Sequence, residues 1–338
     1  MTFRGKMLAN CVICGDRLEP HLEAVRDPYT EETFSISRCV RCRLGHTVPQ
    51  PVDLDRYYQG SYYANRHGFT SSFCVKRRLR FVAAAEPDGC GKKLLDIGCG
   101  DGSFLLAARK AGWDVMGTER NPVSARGAGL DVEESLDRVT ASGTFDCITM
   151  WHTLEHMRDI PFTLSNIARL LKPGGKLVIA VPDSGGTQAV IFGPNWLHAD
   201  VPRHLFHFDS KALMHRLNEA GFSVRTQWHQ EFEYDLLGWS QSALNLLLLQ
   251  PNVFFDSLRG RPEKKSQQVY PVLRFSSRYA ADRNIASCTR AGYADRSGRD
   301  TDRDGGPTYD RSGRYAEAIR GIPLQSARIR RTGMPVTT

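Results

Sequence analysis

Residues 94–104 read LLDIGCGDGSF, and two residue types in this stretch can do chemistry. Glycines at Gly98, Gly100 and Gly102 let a backbone turn tightly and approach a ligand closely, and a helical pattern opens behind them. Asp96 lies two residues ahead of the first glycine. Dinucleotide sites use Gly-x-Gly-x-x-Gly, whereas the spacing here is Gly-x-Gly-x-Gly, and an acid at Asp96 would repel a pyrophosphate. It favours a cationic ligand. A second acid, Glu119, follows Val115-Met116-Gly117-Thr118, where a carboxylate at a strand tip can accept two ribose hydroxyls. The bland alternatives are a helix-capping acid for Asp96 and a solvated turn residue for Glu119. The combination calls for a nucleoside with positive charge and no phosphate. S-adenosylmethionine, with a sulfonium and an ammonium, meets that description.

A second constellation is built from thiols. Cys11 and Cys14 form one Cys-x-x-Cys pair and Cys39 and Cys42 another, with twenty-four residues between the pairs. Four thiolates close the tetrahedral shell of Zn²⁺ and leave no open position, so such a site folds a small segment and does no chemistry itself. The expectation is a structural zinc ribbon, with incidental thiol pairs as the alternative. His46, four residues past Cys42, could substitute as a ligand. The remaining five of the nine cysteines are scattered and read as core or incidental thiols.

The elements that must position these groups are legible in outline. Pro49-Gln50-Pro51 and the tyrosines Tyr57, Tyr58, Tyr62 and Tyr63 form a linker, and a helix over 71–86 ends at Glu86-Pro87-Asp88-Gly89. From residue 92 strands and helices alternate, which argues for a mostly parallel sheet. Strands are expected at 93–97, 113–118, 130–133, 145–150 and 176–181, with helices near 102–111, 122–128 and 159–171. Asp209 caps a further helix to Ala220, Gly221 ends it, and a strand starts at Phe222. The order of elements places the adenine site after the third strand, near Glu134, Ser135 and Leu136.

LLDIGCGDGSF, VMGTERN, FDCITMWHTLEHMRD and LLKPGGKLVIAVPD resemble the successive motifs of class I S-adenosylmethionine-dependent methyltransferases. The cysteine ribbon, the PQP-tyrosine linker and NWLHADVPRHLFHF resemble one branch of that family, bacterial small-molecule methyltransferases with an N-terminal zinc-binding segment, some acting on deoxysugars. The resemblance covers roughly residues 8–258. It implies an α/β fold with a Rossmann-like sheet, helices on both faces, and a last strand inserted antiparallel. No convincing last strand follows Phe222; residues 269–275 are short and contain Pro271. The resemblance also implies cofactor contacts at Asp96, Gly98, Cys99, Gly100, Gly102, Glu119, Arg120, Ser135 and Trp151.

A base is required if the methyl acceptor is a hydroxyl, an acidic carbon or a protonated amine. The candidates lie after strand ends, where ligands bind in such sheets: His152 and His156, then His198, His204 and His207. His204-Leu205-Phe206-His207-Phe208 resembles the stretch that supplies the base in sugar-methylating relatives, so His204 is the expected base, with His152 contacting the methionyl portion or the substrate. Arg203 stands where those relatives have an acid, and its charge is expected to keep His204 neutral. Trp196 could wall the acceptor pocket.

The expected organisation is a zinc ribbon over 8–48, a linker and helix over 49–91, the methyltransferase domain over 92–258, and a basic, largely disordered tail over 259–338. The tail holds 17 Lys/Arg against 8 Asp/Glu, so the net charge of +8 leaves about −1 for residues 1–258. The body therefore gives no electrostatic case for nucleic acid. An apolar helix over 236–249 is expected to pack on the domain or at a dimer contact, with shallow membrane contact as the alternative. The absence of an apolar leader in residues 1–15 makes a cytoplasmic protein the default expectation. The leading function is methyl transfer from S-adenosylmethionine to a small-molecule acceptor, a sugar or glycoconjugate among the candidates. RNA methylation and a non-catalytic zinc-ribbon interaction module are the alternatives. Oligomeric state and the atom methylated are not legible.

Overall fold

A computed structural model describes residues 8–58, 71–140, 142–229 and 235–247, with the backbone alone at 5–6, 232–234 and 327–331. At the N-terminus β1 (Gly5–Lys6) lies antiparallel to β5 (Gln50–Pro51). Between them β2 (Leu18–Arg26), β3 (Thr33–Cys39) and β4 (Gly45–Val48) form an antiparallel ribbon. Its alternation buries Phe34 and Ile36 on one face of β3. Tyr57 packs edge-on against Phe34 at 6.1 Å, which seats the linker on the ribbon. Tyr62 and Tyr63 lie outside the described residues.

After helix α1 (Ser71–Ala85) the chain alternates: β6 (Lys93–Ile97), α2 (Ser103–Lys110), β7 (Asp114–Thr118), α3 (Val123–Gly127), β8 (Val132–Glu133), β9 (Phe145–Trp151), α4 (Ile160–Leu170) and β10 (Leu171–Ala180). Then come α5 (Thr187–Phe192), β11 (Phe206–His207), α6 (Ser210–Glu219), β12 (Phe222–Thr226), α7 (Phe232–Leu246) and β13 (Ala327–Arg331). Local chemistry sets the helix starts. Asp159 accepts from Phe162 N at 2.9 Å at the head of α4, and Asp209 accepts from Ala212 N at 2.7 Å at the head of α6.

Seven strands form one sheet in the order β12-β13-β10-β9-β6-β7-β8, with β6, β7, β8, β9 and β10 parallel. Successive strand residues face opposite cores. Leu94, Cys147 and Val178 join Phe81, Phe104 and Leu105 on one face, while Leu95, Ile148 and Leu177 join Ile160, Leu164 and Leu217 on the other. Helices therefore cover both faces, as expected for this fold class.

Two expectations are corrected. The last strand exists: β13 lies antiparallel between β10 and β12 and comes from the basic tail, not from residues 269–275. Its sequence, ARIRR, carries three arginines, and composition gave no reason to put it inside a sheet. Disorder is therefore the wrong reading for residues 327–331; the remainder of the tail lies outside the described residues. The apolar helix α7 also starts at Phe232 rather than 236. Its polar residues turn inward: Gln241 and Ser242 are buried, and Ser242 Oγ accepts from Leu197 N at 2.9 Å. Leu236, Trp239, Leu246 and Leu247 stay exposed. Among the described residues no helix is long and apolar enough to cross a membrane.

Candidate active site

The cradle forms where β6 runs into α2. Asp96 lies opposite Thr149 of β9 in the parallel register, and Thr149 Oγ1 donates to Asp96 Oδ1 at 2.6 Å. Asp96 is 1% exposed, and burial pushes its carboxyl up to about 7; the Thr149 bond and the Arg78 charge lower it, and the Glu119 charge raises it. Gly98 has φ +75°, and a Cβ there would stand 2.6 Å from both Cγ2 and Oγ1 of Thr153. At Gly100, φ +60°, a Cβ would meet nothing within 4 Å, so this part of the loop borders open space. The turn is held by Gly98 N and Cys99 N on Thr118 O, at 2.8 and 3.0 Å.

Glu119 follows β7 and is nearly buried. Gly100 N donates to its Oε2 at 2.9 Å and Asn121 N to its Oε1 at 3.2 Å. Those two bonds fix the carboxylate over the glycine loop and leave it capacity for further donors. Cys99 packs its sulfur under Gly117, and burial pushes its thiol up, which marks an inert packing residue. Arg120 is paired with Asp55, and its guanidinium lies 5.2 Å from the centre of the Tyr58 ring. Ser135 precedes the turn at Leu136–Arg138, while Glu134 pairs with Arg138 at 3.0 Å on the surface.

Trp151 ends β9 between Phe81, stacked at 6.2 Å, and Phe104, edge-on at 5.8 Å, with the Arg78 guanidinium 5.3 Å from its ring centre. Its buried indole Nε1 has no hydrogen-bond partner among the described residues. An orphaned donor beside an open glycine loop fits a site shaped for an absent polar ligand. His152, the next residue, adopts φ +53°, uncommon for a side chain with a Cβ, and its N–H donates to Ala180 O at 2.9 Å.

Two residues further on, the 3-10 turn Leu154–His156 meets the loop carrying His204. His204 is buried, and its Nδ1 lies 3.0 Å from His198 O. A carbonyl only accepts, so the proton sits on Nδ1 and Nε2 is bare, 3.9 Å from Glu155 Oε1 and 3.8 Å from Asp200 Oδ2. Burial above all, then the neighbouring His156, hold His204 well below the usual imidazole range. The expected role of Arg203 is corrected. Its side chain turns away, fully buried, and donates to Asp27 at 2.8 Å and to Asp200 at 2.6 Å. Arg203 binds the loop to the ribbon, and burial and the neighbouring histidines come first among the causes that keep His204 neutral. Trp196 is buried and edge-on to His198 at 5.8 Å.

The four ribbon cysteines converge, with all four sulfurs within 4.8 Å of one another. Cys11 and Cys42 sulfurs lie 3.6 Å apart and those of Cys14 and Cys39 3.4 Å apart. Tetrahedral Zn–S bonds of about 2.3 Å put sulfurs about 3.8 Å apart, so the donors fit the ion. His46 stands outside the set, close enough behind Cys11 to favour its thiolate. The ribbon is also wired into the histidine loop: β4 pairs with β11, and Thr47 Oγ1 donates to His204 O at 2.6 Å. His207 Nε2 lies 2.9 Å from that same Thr47 oxygen, and Tyr58 OH lies 2.9 Å from His156 Nδ1.

Sequence reasoning missed Asp27, Thr149, Asp200 and Arg78. Thr149 was visible as a hydroxyl inside the apolar run FDCITMW; Asp27 and Arg203 are 176 residues apart and gave no signal.

Comparison with known proteins fits this geometry. Residues 66–227 match the profile of a family described as a methyltransferase domain. A ubiquinone biosynthesis O-methyltransferase of Xanthomonas oryzae pv. oryzae is 30% identical over 145 residues, 39% of this chain and 60% of that one. The corresponding protein of Thiobacillus denitrificans is 36% identical over 110 residues, 29% of this chain and 47% of that one. The chain thus spans less than two thirds of the length of either relative. A solved S-adenosylmethionine-dependent methyltransferase of Archaeoglobus fulgidus superposes with a TM-score of 0.40 at 22% identity, covering 47% of this chain and 73% of that one. Residues 66–227, just under half of the chain, are thus similar to a methyltransferase domain.

Proposed function

We propose that this protein transfers the methyl group of S-adenosylmethionine to a hydroxyl-bearing small molecule. The observation that carries the reading is the buried Asp96 beside an open glycine loop onto which Glu119 is fixed. When bound, S-adenosylmethionine supplies an electrophilic methyl on a cationic sulfur. Asp96 offers the compensating negative charge, Glu119 the acceptor for ribose hydroxyls, and Trp151 a free indole N–H. Gly98, Cys99, Gly100 and Gly102 bring backbone close to the ligand, and Arg120 and Ser135 flank its nucleoside end. Methyl transfer disperses charge, so positioning and exclusion of water do much of the work.

His204 activates the acceptor through its bare Nε2, and His152 lines the passage between acceptor and donor. The relatives named for ubiquinone biosynthesis support a small hydroxylic acceptor. The sugar or glycoconjugate suggested by the histidine motif is one member of that class, to be compared with phenols in the assay. Zn²⁺ bound by Cys11, Cys14, Cys39 and Cys42 holds the ribbon, and through Thr47 and β11 it holds the His204 loop. Isothermal titration tests the cofactor: S-adenosylmethionine binds one to one and NAD does not. Binding of NAD in its place would overturn the reading.

A further inference from the structure

His46 is fully buried, and neither of its ring nitrogens makes an aligned hydrogen bond among the described residues. A buried polar group left so costs the fold its desolvation, and native proteins ordinarily meet it with a partner. Strand register shows where this imidazole lies. His46 of β4 stands opposite Ser37 of β3 on one side and opposite Phe206 of β11 on the other. Residues two apart in a strand share a face, so His46 and Ser37 lie on the face that carries Cys39. The Phe206 ring is edge-on to the imidazole at 5.2 Å. On the other side the imidazole reaches the Cys11 sulfur, where Cys42 first and then His46 favour the thiolate against burial.

Charge points the same way. Four thiolates around one Zn²⁺ carry two net negative charges, and Cys11, Cys39 and Cys42 are buried. Solvent cannot disperse that charge, so hydrogen-bond donors must. Backbone supplies part of the need: Cys42 N donates to Cys39 Sγ at 3.5 Å. A neutral imidazole adds one N–H. A thiol accepts weakly, whereas hydrogen bonds to an ionised acceptor are shorter and about twice as strong. The N–H of His46 therefore finds its partner in the metal-bound form of Cys11.

We propose that His46 donates a ring N–H to the sulfur of Cys11 when the four cysteines hold zinc, and so retains the ion. The inference rests on the zinc reading of the ribbon. His46 is a positioning residue and touches no reacting atom. Its N–H spreads the charge of the cluster, so the Cys11 thiolate is less readily protonated and the ion less readily lost. The same bond anchors β4 at the residue that pairs with Phe206 of β11, two positions after His204.

The test uses the full wild-type chain with the cysteine site filled with cadmium enriched in its NMR-active isotope. A ring proton of His46 couples to the metal nucleus through the Cys11 sulfur, and the cadmium resonance falls in the range of four thiolates. In competition for zinc against a chelator, His46→Leu loses affinity by roughly 10–100-fold, and His46→Gln, which keeps a side-chain N–H, recovers most of that loss. With Co²⁺ in the site, the thiolate charge-transfer bands of His46→Leu move to lower energy, which a packing role alone would not produce. Circular dichroism of the same samples reports that the variants fold, and the cadmium measurement needs no variant. Absence of the coupling, or unchanged zinc affinity and band energy in a folded His46→Leu, overturns the proposal. A cadmium resonance typical of three thiolates and one nitrogen also overturns it, because His46 is then a ligand. A wild type whose cysteines take up no metal overturns the zinc reading itself, and the proposal with it.

Discussion

Replacing Asp96 by Asn separates what this carboxylate does for the ligand from what it costs the fold. Its carboxyl is pushed up to about 7 by burial, so the unliganded protein is about half ionised there at neutral pH. A cationic ligand binds the ionised form, so its affinity must fall as pH drops below 7, about tenfold per pH unit, or about 1.4 kcal/mol. The ligand's own amino group stays protonated below about 7.7 and cannot produce that fall. In Asp96→Asn the slope between pH 5 and 7 disappears and affinity is low throughout. Stability moves the other way. The folded pKa lies above the ordinary carboxylate value of 3.8, so the penalty of ionising Asp96 appears as pH rises above about 4 and is complete beyond 7. Three pH units correspond to up to about 4 kcal/mol. Asp96→Asn should therefore stabilise the unliganded protein at pH 8 and leave it nearly unchanged near pH 4. Calorimetric titration with S-adenosylmethionine and urea unfolding at each pH measure both effects. Wild-type affinity that is flat from pH 5 to 8, or a slope that survives in Asp96→Asn, would refute the reasoning.

Three other perturbations follow from the geometry. Arg203→Met leaves Asp27 and Asp200 without their buried cation and should cost about 3–5 kcal/mol in urea unfolding; a loss below about 1 kcal/mol would mean the triad is not a structural tie. Removing zinc with a chelator, or by Cys39→Ser, should reduce methyl transfer far more than cofactor affinity, because the ribbon holds the His204 loop while the cradle stands on β6 and α2. Metal content by elemental analysis and cofactor binding in the same sample decide it. Gly98→Ala places a Cβ against Thr153 at a positive φ and should weaken S-adenosylmethionine binding by at least about tenfold, with unchanged calorimetric affinity counting against the cradle.

The cradle was legible because its determinants are local. Strand β6 is an apolar run bounded by glycines, and α6 is bracketed by Asp209 and Gly221, so both stand where the pattern put them. The histidine loop was legible only as a list of candidates. Its geometry comes from Arg203 reaching Asp27 and from a two-residue pairing of β11 with β4, contacts between segments far apart in the chain that leave no periodic trace. The seventh strand was hidden for a different reason. Interior strands ordinarily read as β-branched and apolar, whereas ARIRR offers one isoleucine among three arginines and begins 101 residues after β12 ends.

The central claim is tested most directly by following labelled methyl groups. The full chain, S-adenosylmethionine labelled in its methyl group and a cell extract are incubated, then sorted into RNA, protein, lipid, polysaccharide and small-molecule fractions. Label should enter the small-molecule fraction in a base-stable ether linkage, and His204→Ala should abolish its transfer without abolishing cofactor binding. Label in RNA alone, or transfer undiminished in His204→Ala, would contradict the account.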